Sequence, residues 1–307
     1  MASISIPTIS QRSLNSKVRR SQSVHTIGQA LEHFGFFIVT DHNISPDLIA
    51  ECYQAANKFF MLPNEFKHAC SRPETNSQRG FTEFGQEHAK DSAQPDLKEF
   101  YQIGREESEK LEPNVWPSHP AEFRKTMREL YHKLEAIGMA LLRACSEHLL
   151  LKPDFLPRLA QDSDSILRVI HYPPIDGNTG LAMRSAAHQD INFITLLLQA
   201  TEGGLELQTP QGAWVAVNAK PNELIVDSGD MMANLTNGQF RSTMHRVVNP
   251  PELLKRRLSM PFFMHPRKDT DLTPLPACIK RTNGQANYPS WTAGEFLAKR
   301  LEEIGLG

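Results

Sequence analysis

From Ile166 to His265 the chain is broken into short apolar runs, LRVIHY, INFITLLLQ, LELQ, WVAV, LIVDS, MMANLT, MHRVV and SMPFFMH. The separators PPIDGNTG, TEGG, TPQG, KPNE, GD, TNG and NPPE are rich in Pro, Gly, Asn and Asp, which supply the fixed or left-handed φ that tight turns need. About eight closely spaced strands with no intervening helix predict an antiparallel sandwich or barrel.

The region before this is of another kind. Gly35-Phe36-Phe37-Ile38-Val39 suits a buried strand; Ser45 then caps a helix with Pro46 at its first position, running to about Leu62. Between Ser118 and Leu150, Phe123, Met127, Leu130, Leu134, Ile137, Leu141 and Cys145 recur at intervals of three and four, which places them on one helical stripe. From roughly Ser71 to Pro117 periodicity disappears while Pro, Gly and charge accumulate, so a long irregular segment is expected there. A last helix, Thr292 to Ile304, opens with the capping box Thr292-x-x-Glu295. No linker-like stretch separates Leu150 from Ile166, and the expectation is a single domain over 1–307. It comprises a mainly helical part (1–165), a β core carrying the site (166–290) and a C-terminal helix (291–307).

Composition excludes several function classes. With 307 residues, 40% hydrophobic and 22% charged, the chain can enclose a full-sized core. A net charge of -2 with scattered Lys and Arg offers no footprint for a phosphate backbone or an anionic membrane, so neither nucleic acid nor membrane is expected as a partner. The longest apolar runs, such as Ile191 to Leu198, are too short to span a bilayer, and MASISIPTISQRSLNSKVRR has its basic residues after its apolar stretch, unlike a signal peptide. Cys52, Cys70, Cys145 and Cys278 show no CxxC spacing, which fits unpaired thiols in a reducing cytoplasm.

Chemistry concentrates in Ala187-His188-Gln189-Asp190. In an extended chain alternate side chains share a face, so His188 and Asp190 converge while Gln189 points away. His245, in another run several strands later, supplies a third ligand if pairing brings it opposite. Two imidazoles and a carboxylate on one face of an ion leave open positions for substrate and O2, an arrangement that favours non-haem Fe(II), although the same set also suits a catalytic zinc hydrolase. A lone His-x-Asp discriminates poorly. Twelve positions after His245, Arg257-Leu258-Ser259 sets a guanidinium fork and a hydroxyl on one face of a presumed strand, well formed to grip a carboxylate; in isolation a surface arginine in Lys255-Arg256-Arg257 is the favoured reading.

The ordered series His188-x-Asp190, His245-Arg246-Val247, Arg257-x-Ser259 and Pro261-Phe262-Phe263 resembles the isopenicillin N synthase-like family of Fe(II)- and 2-oxoglutarate-dependent oxygenases. Ile6-Pro7-Thr8-Ile9, Gly35-Phe36-Phe37 with Asp41-His42, Phe59-Phe60-Met61-Leu62-Pro63, Arg79-Gly80-Phe81 and Lys98-Glu99-Phe100 agree with it, so the likeness covers nearly the whole chain. It implies a mixed α and β fold, a double-stranded β-helix (a cupin-like jelly roll) with flanking α-helices. It also implies Fe(II) on His188, Asp190 and His245, and 2-oxoglutarate with its far carboxylate on Arg257 and Ser259 and with Tyr172 beside it. O2 is then consumed, succinate and CO2 are released, and a small molecule is hydroxylated or desaturated. Two departures stand out: plant members have Asn and Tyr where this chain has Ile170 and His171, so one co-substrate hydrogen bond is absent or replaced. Asp41-His42-Asn43 replaces the frequent Asn-His-Gly, with Asn43 able to serve the left-handed turn.

A 2-oxoglutarate-independent Fe(II) oxidase, an ethylene-forming type of enzyme and a non-catalytic binding protein on the same fold are the alternatives. For the substrate, Arg79, Phe81, Arg184 and Phe193 are candidates, with Gln86, His88 and Lys98, and His171 either faces the pocket or is a satisfied core histidine. Arg79 and Arg184 suggest a carboxylate-bearing substrate.

Overall fold

The computed structural model describes residues 6–90, 92–106, 108–175, 179–217, 219–250 and 254–306. In the first half, strands β1 (Thr8–Ser10), β2 (Phe36–Thr40), β3 (Gly80–Thr82) and β4 (Glu99–Ile103) alternate with helices α1 (Gln11–Leu14), α2 (Arg20–His33), α3 (Pro46–Phe60), α4 (Asn64–His68), α5 (Phe123–His148) and α6 (Phe155–Ala160). The second half adds β5 (Ile166–Tyr172), β6 (Ser185–His188), β7 (Ile194–Leu198), β8 (Leu205–Gln208), β9 (Trp214–Ala216) and β10 (Leu224–Ser228). After α7 (Asp230–Leu235) come β11 (His245–Val247), β12 (Arg257–Ser259), β13 (Pro261–Met264), α8 (Pro276–Thr282) and α9 (Ala293–Glu303).

These strands form two sheets. The larger runs β1-β2-β10-β7-β13-β5-β4-β3 with β12 also on β5; the smaller runs β6-β11-β8-β9. Pairing is antiparallel except between β1 and β2. Strand alternation sorts the side chains into two cores. Leu167, Val169, Leu196, Leu198, Val226 and Phe262 join the cluster beneath the helices. Their neighbours Ile170, Tyr172 and Ile225 face inward with Leu205, Leu207 and Val247 of the smaller sheet.

The helix read from its stripe is α5, whose seven periodic residues are all buried. It lies across β7 and β13. The approach is close enough that a Cβ on Gly138 would meet Met264 Sδ at 2.4 Å. Truncating Leu134 or Leu141 there would cost about 2–5 kcal/mol through lost transfer and cavity terms. Ser45 caps α3 by accepting from the Leu48 amide at 3.2 Å, and the Thr292–Glu295 capping box opens α9. Asn43 takes the left-handed φ of 55°.

Two expectations are corrected. MMANLT is not a strand: all but its last residue lies in α7, buried from Met231 to Leu235, and an all-buried run carries no period to separate helix from strand. Met, Ala and Leu favour the helix. The segment 71–117 is not wholly irregular either, since β3 and β4 extend the large sheet from it. All five residues of β4 are buried, including Glu99 and Gln102, because Lys67 and His171 pair with the first and Arg168 and the Ser77 carbonyl bond to the second. Buried polar residues erase the alternation that marks a strand. The large sheet therefore takes strands from both sides of position 165. Among the described residues no helix is long and apolar enough to cross a membrane, and the four cysteines are buried and unpaired.

Candidate metal centre and its two cavities

His188 ends β6 and His245 begins β11, and the antiparallel register sets them directly opposite each other, ring centroids 4.3 Å apart. Asp190 lies two residues beyond β6, and its Oδ1 is 3.8 Å from His188 Nε2 and 3.7 Å from His245 Nε2. The three ligand atoms all lie within 4.8 Å of one another. Each imidazole is oriented from behind: His188 Nδ1 bonds the Ala186 carbonyl at 2.8 Å and His245 Nδ1 the Thr243 carbonyl at 3.1 Å. A proton on Nδ1 leaves each Nε2 lone pair aimed at the common point, as in metal-ligating histidines generally. Burial, and then His245 beside it, hold the His188 imidazole down at about 4, so it is neutral and able to ligate.

Asp190 is fixed by the Thr195 hydroxyl, which donates to its Oδ2, and by its own carbonyl, which accepts from the Asp230 amide at 2.7 Å. That close return of the chain needs a glycine. A Cβ at Gly229 would come 2.4 Å from the Asn192 carbonyl and 2.8 Å from that of Asp190.

An inner cavity opens between the sheets, walled by His188, Asp190 and His245 together with Arg257, Ser259 and Tyr172. Register places Arg257 opposite Tyr172 and Ser259 opposite Ile170. The Arg257 guanidinium sits 5.0 Å from the Tyr172 ring centre and donates from Nε to the Glu202 carbonyl, whereas its Nη1 is buried without a partner. Phe36, Leu197, Leu205 and Val247 add apolar surface to this wall, which also carries Lys98, Arg168 and Asp227. A guanidinium with an unused donor beside a hydroxyl, at the far end of a cavity that starts at two histidines and a carboxylate, suits a small chelating dicarboxylate.

An outer cavity meets the inner one at His188 and Asp190 and is closed by Leu297, Arg300, Leu301 and Ile304, from α9 and the residue after it. Its floor carries a buried charge network. Glu87 receives Arg168 at 2.9 Å and Lys98 at 2.7 Å, and Lys98 also holds Asp96 at 2.8 Å. Arg168 is flanked by Phe100 at 4.2 Å and Phe263 at 5.2 Å. Burial alone would raise the Glu87 carboxyl, but Arg168 and Lys98 hold it down at about 2; Lys98 is pushed up despite burial by Glu87 and Asp96. At the mouth, Arg300 pairs with Asp230 at 3.4 Å and Glu303 at 3.2 Å, and Lys90 with Glu303 at 3.3 Å.

Six of the eight residues that the sequence suggests for the substrate pocket lie in neither wall. Arg79 is fully buried against Asp164 at 2.6 Å, Phe81 packs edge-on to Phe59, and Phe193 is in the core under the helices. His171 follows strand parity away from Tyr172: it bonds Glu99 at 2.8 Å and stacks on Phe60 of α3. Arg184 is buried behind the inner cavity, against Tyr172. Lys98 and His88 do line the outer cavity, and Gln86 does not. Glu87, Arg168 and His265 belong to the walls without having been expected there. Arg168 and His265 carry a signal: each stands two positions from an inward-facing residue, Ile170 and Phe263, and so shares its face.

Comparison with known proteins matches 6–119 to the N-terminal family model described as "non-haem dioxygenase in morphine synthesis", and 163–266 to the 2OG-Fe(II) oxygenase superfamily. The chain is similar to the 2-oxoglutarate-Fe(II) type oxidoreductase hxnY of Emericella nidulans, 30% identical over 294 residues, covering 91% of this chain and 83% of that one. A crystal structure of a 2OG-Fe(II) oxygenase family protein from Caulobacter crescentus superposes with a TM-score of 0.86 at 37% identity over 97% of this chain and 99% of the other. A full-length Neurospora crassa protein in complex with alpha-KG gives 0.86 at 28% identity, covering 97% and 96%.

Proposed function

The chain belongs to the 2OG-Fe(II) oxygenase superfamily, and on that footing we propose that His188, Asp190 and His245 hold its iron and that Arg257, Ser259 and Tyr172 anchor 2-oxoglutarate. The protein is an Fe(II)- and 2-oxoglutarate-dependent dioxygenase acting on a small molecule; an oxidase that dispenses with 2-oxoglutarate and a non-catalytic binding protein are not favoured by its relatives. Iron with 2-oxoglutarate and O2 supplies the oxidising power and releases succinate and CO2. The chain's own work is positional. Ala186 and Thr243 carbonyls keep the two Nε2 atoms unprotonated and converging, Thr195 orients Asp190, and Phe36, Leu197, Leu205 and Val247 keep water from their side of the inner wall.

The substrate we assign to the outer cavity is uncharged and polar. The observation that carries this is the pairing of the cations in its wall: Lys98, Arg168, Arg300 and Lys90 each already face an acid of the same chain. A carboxylate substrate would have to compete with these pairs, of which Lys98–Glu87 and Arg168–Glu87 are buried, and leave an acid unmatched. Arg79 and Arg184, the clamp a carboxylate would need, are outside the cavity. The relatives vary, from a structure with thymine to one named a proline hydroxylase, so the reading rests on this chain's own charges.

The test is a compound panel scored by stimulated succinate release in air, with Fe(II) and 2-oxoglutarate present. Neutral polar molecules should stimulate release. Stimulation by carboxylates alone would defeat the assignment of charge, and failure of the Fe(II) protein to develop a visible charge-transfer band with 2-oxoglutarate would defeat the anchor.

A further inference from the structure

Tyr172 carries two guanidiniums. Arg257 stands 5.0 Å from its ring centre and Arg184 5.9 Å, both within cation–π range. Arg184 has no exposed surface, and its Nε and Nη1 are buried without partners. Its Nη2 donates to the Lys255 carbonyl, and its backbone amide is held by Asn249 Oδ1 at 2.9 Å. Among the described residues no carboxylate lies within ion-pair distance of either arginine; Arg257 makes its contact to Glu202 through the backbone carbonyl.

A packed interior does not ordinarily keep two like charges on one aromatic ring with donors unused. Burial and then Arg257 beside it lower the Arg184 pKa, a mark of that cost. The arrangement makes sense if an anion arrives in the adjoining cavity. Arg257 lines that cavity and Arg184 does not, so the second charge acts through the ring rather than by contact.

Resting on the anchor assignment above, we propose that Arg184 is a positioning residue of the 2-oxoglutarate site: it holds Tyr172 against Arg257 and adds a second buried positive charge. Selection of a 2-oxo dicarboxylic acid over one that lacks the far carboxylate then depends on a residue that touches neither. The dependence is electrostatic and reaches through a dry wall, where one unit charge several ångströms away changes affinity on the order of tenfold.

The experiment uses the full chain loaded with Fe(II) under anaerobic conditions, titrated with 2-oxoglutarate and with 2-oxobutyrate and read by the charge-transfer absorbance. Arg184→Met should weaken 2-oxoglutarate binding by about tenfold and leave 2-oxobutyrate unchanged, and Arg184→Lys should restore most of the loss. Equal weakening of both acids, or no change in either, overturns the proposal. Should Arg184→Met fail to fold, Arg184→Lys decides: selectivity near wild type supports the charge role, and selectivity lost despite the retained charge overturns it. Wild-type protein that does not discriminate the two acids removes the anchor assignment itself, whereas discrimination undiminished in Arg184→Met removes this inference alone.

Discussion

The inner and outer cavities share His188, Asp190, Lys98, Arg168 and Phe263, yet they are made in different ways. Strand register makes the inner one: Arg257 opposite Tyr172, His245 opposite His188, apolar residues filling the alternate positions. Segments far apart in sequence make the outer one, with Glu87 from a loop, Arg168 from β5 and Leu297, Arg300 and Leu301 from the last helix. The inner wall leaves positive charge unpaired; the outer wall pairs its cations. A site that takes the same dicarboxylate at every turnover can keep a standing charge for it. A wall of internally satisfied charges selects instead by shape and hydrogen bonding.

The most severe break in this division is at the point the cavities share. His188→Ala should lower iron affinity by more than the roughly 10–100-fold that losing an outer partner of a ligand costs, and abolish both the charge-transfer band and succinate release. Stoichiometric iron at the same site in that variant would show the ligand assignment to be wrong.

Next come two variants that should separate the cavities. Arg257→Ala removes a charged partner of the co-substrate and should raise the KM for 2-oxoglutarate about a hundredfold, with the KM of the substrate little changed. Leu297→Ala, in the outer wall, should do the reverse on a smaller scale, raising the substrate KM roughly tenfold and sparing 2-oxoglutarate. Parallel effects of either variant on both constants would mean that the two cavities act as one.

The charge network sets a pH dependence. Glu87 titrates at about 2 in the fold against an ordinary 4.5, so between those values the unfolded chain binds the proton that the native state refuses. Burial holds His265 down at about 4 against 6.5, and the sign is the same. Stability should therefore fall on acidification, first from pH 6.5 towards 4 and then from 4.5 towards 2. Urea unfolding across this range should show the lower limb flattened in Glu87→Gln, a variant that also loses about 3 kcal/mol at neutral pH by leaving Arg168 and Lys98 short of a partner.

The smallest effect expected is at the helix that closes the outer cavity. Thr292→Ala removes the α9 cap and should cost about 1 kcal/mol, measured as a shift of a few degrees in Tm, with the KM for 2-oxoglutarate unmoved.

Legibility follows the same division. The triad and the Arg257–Ser259 pair can be read because a period of two puts i and i+2 on one face whatever the strand pairs with. The α5 stripe and the Thr292 box are equally local. MMANLT and β4 escape such a reading because burial on both faces hides the period, and Arg79 and Arg184 pass for pocket residues because a charged residue near a turn gives no hint of being fully buried. Arg79 meets Asp164, 85 positions away, and Arg168 meets Glu87, 81 positions away.

Alone, then, the sequence determined which side chains share a face, the ends of several helices, and the order of the proposed ligand and anchor residues. Tertiary structure decided the register that sets His245 against His188, the acids that neutralise the outer cations, and the second guanidinium on Tyr172. The physical reason is range: periodicity and capping act over a few residues, whereas burial and charge pairing belong to groups that meet only once the sheets have closed.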